Sequence, residues 1–126
     1  MHKILLTGYS GFIGSEILNQ LSKNNTIYIT QRNKKKIKNK NIQNIKQIYF
    51  KNYDNLNYKL SKLKIDIVIH CATHYIKKHT LKDIKKLSDS NILFGNVILE
   101  NLKAMKVKKF IYFNTVCENY DSIKKN

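Results

Sequence analysis

Three of the chain's four glycines fall within seven residues, in Thr7-Gly8-Tyr9-Ser10-Gly11-Phe12-Ile13-Gly14. Apolar Ile4-Leu5-Leu6 runs directly into this segment, and a stretch with Ile13, Ile17, Leu18 and Leu21 at helical spacing leaves it. Where a buried strand turns sharply into a helix, residues without Cβ let the backbone turn, let a phosphate approach the main chain and let the helix pack closely on the strand. Gly8, Gly11 and Gly14 can each meet one of these needs. The unpaired N–H groups of the first helical turn, aided by the helix dipole, then form a site for a pyrophosphate that needs no cationic side chain. The spacing is GxxGxxG rather than GxGxxG, so the motif by itself also fits a tight β-to-α turn without a ligand. A second strand at Ile27-Tyr28-Ile29 completes the βαβ context of a dinucleotide site.

The rest of the chain must hold that turn in place, and it alternates strand and helix from end to end. Strands are predicted at Lys3–Thr7, Ile27–Thr30, Ile45–Phe50, Ile65–Ile69 and Lys108–Asn114, and helices at Phe12–Ser22, Leu56–Leu63 and from about Leu81 to Met105. Lysine-rich Asn33–Asn41 fits either a short exposed helix or a loop. This pattern predicts an α/β protein with a Rossmann-like, doubly wound parallel sheet, and right-handed crossovers order its five strands 3-2-1-4-5. Ligands of such sheets bind at the carboxyl ends of the strands where the order reverses, here between strands 1 and 4. Gly8–Gly14, His70–Tyr75 and Asn114-Thr115 all fall at that point.

A length of 126 residues bounds the chain to one domain, residues 1–126, with no room for a separate substrate domain. No apolar run approaches the roughly 18 residues of a membrane span, and Met1-His2-Lys3 leads straight into a core strand, so a soluble, cytoplasmic protein is expected. Cys71 and Cys117 have neither metal-ligand spacing nor a disulfide framework; both are expected to be reduced and packed, and no metal site is expected. The net charge of +16 invites a nucleic-acid reading. Yet Arg32 is the sole arginine, and the lysines accompany abundant asparagine and isoleucine across the whole chain. A dedicated nucleic-acid surface more often mixes arginine with aromatic residues, so a specific nucleic-acid partner is not expected.

With these residues placed, the chain resembles the extended short-chain dehydrogenase/reductase family, the NAD(P)-dependent epimerases and dehydratases that act largely on nucleotide-linked sugars. Ile4 to Gly14 is similar to the family's TGxxGFIG fingerprint at every fixed position. Asp66-Ile67-Val68-Ile69-His70-Cys71-Ala72 resembles its DVVIHxAA strand, Asn91 to Glu100 its NVxGTxNLLE helix, and Val107 to Thr115 its VKRFVYxSS strand. The resemblance implies that Gly8, Ser10, Gly11, Phe12, Ile13 and Gly14 hold the pyrophosphate and that Cys71, Ala72 and Thr73 line the nicotinamide ribose. It further implies that Asn91 faces the site, unless its amide is spent on backbone. Asn52-Tyr53 stands where the family has Asp-Leu against adenine, and an amide there can still hydrogen-bond the adenine amine. Thr115 takes the place of the hydroxyl residue that orients substrate.

The family's catalytic tyrosine is followed four residues later by a lysine that lowers its pKa. Tyr120 and Lys124 have that spacing, as do Tyr58 and Lys62. With lysine this frequent, such pairs arise by accident, and Tyr120 follows Thr115 too soon. Neither pair is assigned the catalytic role, and the sequence reads as ending before the catalytic helix and the substrate domain. Apolar surface on strand 5 and on the long helix should then be exposed, which favours pairing with another chain such as a homodimer partner.

Strand 2 bears on the cofactor. Its end, Thr30-Gln31-Arg32-Asn33, carries no carboxylate for a ribose 2′-hydroxyl and does carry the one arginine, which favours NADP over NAD. The expected function is the dinucleotide-binding part of a nucleotide-sugar epimerase, dehydratase or reductase, inactive alone. A non-catalytic NAD(P)-sensing or interaction module is the alternative, with a basic nucleic-acid binder third.

Overall fold

Five parallel strands, β1 (Lys3–Thr7), β2 (Thr26–Gln31), β3 (Ile45–Tyr49), β4 (Ile67–His70) and β5 (Lys109–Tyr112), form one sheet in the order β3-β2-β1-β4-β5. The predicted order is therefore observed in this computed structural model, which describes residues 1–33, 37 and 42–113. Thr115, Cys117, Tyr120 and Lys124 lie outside the described residues, as does most of the lysine-rich Asn33–Asn41 segment.

The pleat explains why these strands read as almost continuous apolar runs. Register sets Leu5 beside Tyr28 and Val68, and Leu6 beside Ile29 and Ile69. Leu5, Tyr28, Ile48 and Val68 pack on one face with Leu56, Leu60, Phe94, Ile98 and Met105. On the other face Ile4, Leu6, Ile27, Ile29 and Ile69 meet Leu18. A sheet buried on both sides needs apolar residues at successive positions, not only at alternate ones.

Helix α1 (Phe12–Leu21) follows β1, and α2 (Tyr53–Ser61) follows β3. Helix α2 begins earlier than the predicted Leu56 because Asn52 caps it, its side chain accepting the Asn55 N–H at 2.8 Å. Strand β4 starts at Ile67 rather than Ile65, since the Asp66 carboxylate accepts the Lys3 N–H at 2.9 Å and marks the strand's entry. The predicted helix from Leu81 to Met105 is broken into a 3₁₀ turn (Leu81–Asp83), α3 (Ile84–Ser88), a π-helical turn (Asp89–Leu93), α4 (Phe94–Glu100) and α5 (Leu102–Met105). One break lies at buried Asn101, whose amide donates to Val97 O at 2.9 Å and to Asn57 Oδ1 at 2.8 Å. Lys106, in the left-handed conformation at φ 60°, ends α5 and turns the chain toward β5.

Apolar surface is exposed where the sequence suggested. Leu81, Ile92 and Leu99 on the broken helix, and Ile111, Tyr112 and Phe113 in and after edge strand β5, all face outward.

Candidate functional site

The turn after β1 is built by its glycines and anchored from β4. Gly8 has φ +70°, and a Cβ there would sit 2.6 Å from the Ala72 nitrogen. A Cβ on Gly14 would come within 2.1 Å of the Gly8 carbonyl oxygen, so α1 packs on the turn only because that atom is missing. Gly11 differs: it starts α1 in extended geometry at φ −78°, and the only close neighbour of a Cβ there is Gly8 O at 3.4 Å. No side chain caps α1 and no acidic residue occupies its first turn. The first-turn amides thus point at open space with the positive end of the helix dipole behind them.

Thr7 joins this turn to β4. Its hydroxyl oxygen accepts the Ala72 N–H at 3.3 Å and lies 2.8 Å from His70 Nδ1. The Thr7 hydroxyl, with one proton and two lone pairs, can serve Ala72 and either tautomer of the His70 ring. Burial lowers the His70 pKa below its ordinary value, consistent with a neutral ring packed among Phe94, Phe110 and Tyr112.

A cleft of about 590 Å³ opens between these segments at the carboxyl ends of β1 and β4. It is lined by Gly8 and Ser10 to Gly14 from the turn, by Cys71, Ala72, Thr73 and His74 from the segment after β4, and by Arg32. Ten of the predicted cofactor residues therefore meet in one cavity. Asn52 and Tyr53 do not line it. They flank a side pocket of about 290 Å³, which Arg32, Phe50 and Asp89 share. Asn91 is also absent from the cleft wall: its Oδ1 accepts the His74 N–H at 2.6 Å and its Nδ2 donates to His74 O at 3.0 Å. It holds the loop that forms the wall, an indirect part that the sequence reading had set beside direct contact.

Thr30, Phe50, His74, Ser90 and Phe94 also line the cleft and were not singled out in the sequence. His74 could have been found, because it lies within the segment assigned to the switch point. Its Nε2 is buried and is the one such side-chain atom without a partner among the described residues. Phe94 gives no local signal of its place.

Arg32 is the most constrained charge of the site. Its Nη2 lies 2.7 Å from Asp89 Oδ2 and donates to the Tyr53 hydroxyl at 2.7 Å. The guanidinium carbon sits 5.8 Å from the Tyr53 ring centroid and 6.0 Å from that of Phe94. The Tyr53 hydroxyl donates in turn to the Asp89 carbonyl at 3.0 Å. Burial, with added repulsion from the Asp89 carboxylate and only partial relief from Arg32, pushes the Tyr53 pKa up to about 12, so the phenol keeps this proton. The Cys71 thiol is free, and burial raises its pKa. No cluster of His, Cys, Asp and Glu among the described residues could hold a metal ion.

Tyr58 and Lys62 pair with each other on α2, in a groove beside β3 that is separate from the cleft. Among the described residues, no helix is long and apolar enough to cross a membrane.

Comparisons with known proteins cover most of the chain. The family model described as the NAD dependent epimerase/dehydratase family matches residues 4–125. A dTDP-D-glucose 4,6-dehydratase of Dictyostelium discoideum is 36% identical over 91% of this chain, and the chain spans 29% of that protein's length. Among solved structures, an epimerase of Methanothermobacter thermautotrophicus superimposes with a TM-score of 0.75 at 24% identity, covering 92% of this chain and 36% of that one. The Bordetella bronchiseptica enzyme WbmH in complex with NAD+ gives a TM-score of 0.70 at 21% identity, covering 93% of this chain and 40% of its own. At these identities the two structures speak for the fold.

Proposed function

Because the chain belongs to the NAD-dependent epimerase/dehydratase family, we propose that these 126 residues are the dinucleotide-binding part of an enzyme acting on a nucleotide-linked sugar. The observation that carries this reading is the uncapped N-terminus of α1, opening through Gly11 onto the cleft between β1 and β4. A nicotinamide dinucleotide fits such a site: first-turn amides suit the pyrophosphate, and the orphaned His74 Nε2 offers a polar partner in the cleft lining. When bound, that group would supply a hydride acceptor.

This chain's own residues bind and position. Gly8 and Gly14 fix the turn, Ser10 to Ile13 present main-chain groups, and Cys71, Ala72 and Thr73 line the cleft from the segment after β4. The Thr7–His70 contact ties β1 to β4, and Asn91 holds the His74 loop in place. Arg32 at the end of β2 favours NADP, through a guanidinium suited to a ribose 2′-phosphate. Asn52 offers an amide at the adenine end. Thr115 is assigned the substrate-orienting hydroxyl, and the 126 residues alone are expected to bind dinucleotide without turning over a sugar.

We place the protein in the cytoplasm, and the outward-facing apolar residues of α4 and β5 support a homodimer. Titration of the chain with NADP and NAD by calorimetry tests the central reading. Saturable one-to-one binding is expected, tighter for NADP and weakened for NADP alone by Arg32→Ala. Absence of binding by either dinucleotide would overturn the reading.

A further inference from the structure

We propose that Asp89 is a specificity-determining residue of this site, competing with a ribose 2′-phosphate for the Arg32 guanidinium and thereby restraining the preference for a phosphorylated dinucleotide. The inference rests on the dinucleotide reading above. Asp89 opens the π-helical turn Asp89–Leu93, far from β2 in sequence, yet its carboxylate lies 2.7 Å from Arg32 Nη2. The contact is partly open to solvent, with Arg32 47% and Asp89 33% exposed, but it is held within a network. Tyr53 bridges the same two residues, accepting from Arg32 Nη2 and donating to the Asp89 carbonyl, while the guanidinium lies over the Tyr53 and Phe94 rings.

Arg32 lines both the main cleft and the side pocket, whereas Asp89 lines the side pocket only. The guanidinium thus stands at the junction of the two cavities with a carboxylate on one side. A phosphate arriving at Arg32 must displace that carboxylate or share the guanidinium with it. Sharing brings a phosphate close to another anion, and Coulomb repulsion at such separations in a wet site corresponds to about tenfold in affinity. A ribose 2′-hydroxyl carries no charge and can donate to the carboxylate, so the unphosphorylated dinucleotide escapes the penalty.

The test compares Kd values for NADP and NAD, by calorimetry at low ionic strength, in the parent chain, Asp89→Asn, Asp89→Ser, Arg32→Ala and the Arg32→Ala/Asp89→Asn double variant. Replacing Asp89 by either residue is expected to lower the ratio of the NADP Kd to the NAD Kd about tenfold. The change should shrink as salt is added and be clearly smaller in the Arg32→Ala background, where no guanidinium holds the phosphate beside the carboxylate. An unchanged ratio, or an equal gain for both dinucleotides, would overturn the assignment of Asp89 while leaving dinucleotide binding intact. The same gain without Arg32 would also overturn it, since competition for the guanidinium would then not be its cause. A parent chain that binds neither dinucleotide would overturn the functional reading and this inference with it.

Discussion

Two glycine-to-alanine substitutions in helices should change stability in opposite directions. At Gly14 an added Cβ would lie 2.1 Å from Gly8 O, 2.8 Å from Gly8 C and 3.0 Å from Tyr9 Cα. All three are main-chain atoms of the turn, so no flexible side chain can yield. Restoring a normal C···O contact of about 3.3 Å requires α1 and the turn to separate by about 1 Å. Overpacking of this kind costs roughly 1–3 kcal/mol, and the better helix propensity of alanine returns up to about 1 kcal/mol of it. At Gly95, in α4, the nearest atom to an added Cβ is His70 Nε2 at 3.5 Å, an ordinary contact, so only the propensity gain remains. Urea unfolding should therefore show Gly14→Ala destabilised by about 1–2 kcal/mol and Gly95→Ala stabilised by about 0.5–1 kcal/mol. The Gly14→Ala variant should also bind dinucleotide more weakly, because the first-turn amides move with α1. A Gly14→Ala protein as stable as Gly95→Ala would refute the packing reasoning and the assignment of Gly14 to close helix–turn contact.

Other substitutions separate binding from folding. Gly11→Ala meets only Gly8 O at 3.4 Å, so stability should stay within about 0.5 kcal/mol of the parent, while dinucleotide affinity falls about tenfold or more as the Cβ blocks the approach to the amides. Asn91→Ala removes both bonds to His74; a loss of about 1–3 kcal/mol and faster amide exchange at His74 should be read by urea unfolding and hydrogen exchange. His70 has a folded-state pKa below its unfolded value, so the unfolded chain binds more protons between the two. Its contribution is complete above about pH 6.5 and is lost as pH falls toward the folded-state value. Urea midpoints at pH 5, 6 and 7 should rise with pH, and His70→Phe should flatten that rise.

What could be read from the sequence was whatever local pattern dictates. Ile4-Leu5-Leu6 and Ile67-Val68-Ile69 had to be strands covered on both faces, and right-handed connection then left the order 3-2-1-4-5. Gly8 and Gly14 were legible because a positive φ and a clash with the Gly8 carbonyl are local needs, whereas the approach of Gly8 to Ala72 is set by the tertiary fold. The ends of elements were less legible: the capping by Asn52 and the strand entry at Asp66 depend on single side-chain bonds. The long helix was read as continuous because its apolar stripe persists, whereas its interruptions follow from tertiary contacts such as that of Asn101 with Asn57. Arg32 was identified as a charge at the site, but its partner Asp89 could not be. Nothing near Arg32 in sequence announces a carboxylate that the π-helical turn brings across the sheet edge. Asn91 was placed correctly on its helix, and its service to the His74 loop depended on where that loop runs.

Amide chemical-shift mapping of the isotopically labelled chain during titration with NADP tests the central claim most directly. The largest changes are expected at the first-turn N–H groups of Phe12, Ile13 and Gly14, with Ala72 and Thr73 following at the same apparent Kd. Shifts confined to lysine-bearing surface such as Lys46, Lys59 and Lys62, or no saturable shift at the N-terminus of α1, would contradict a dinucleotide site in this cleft.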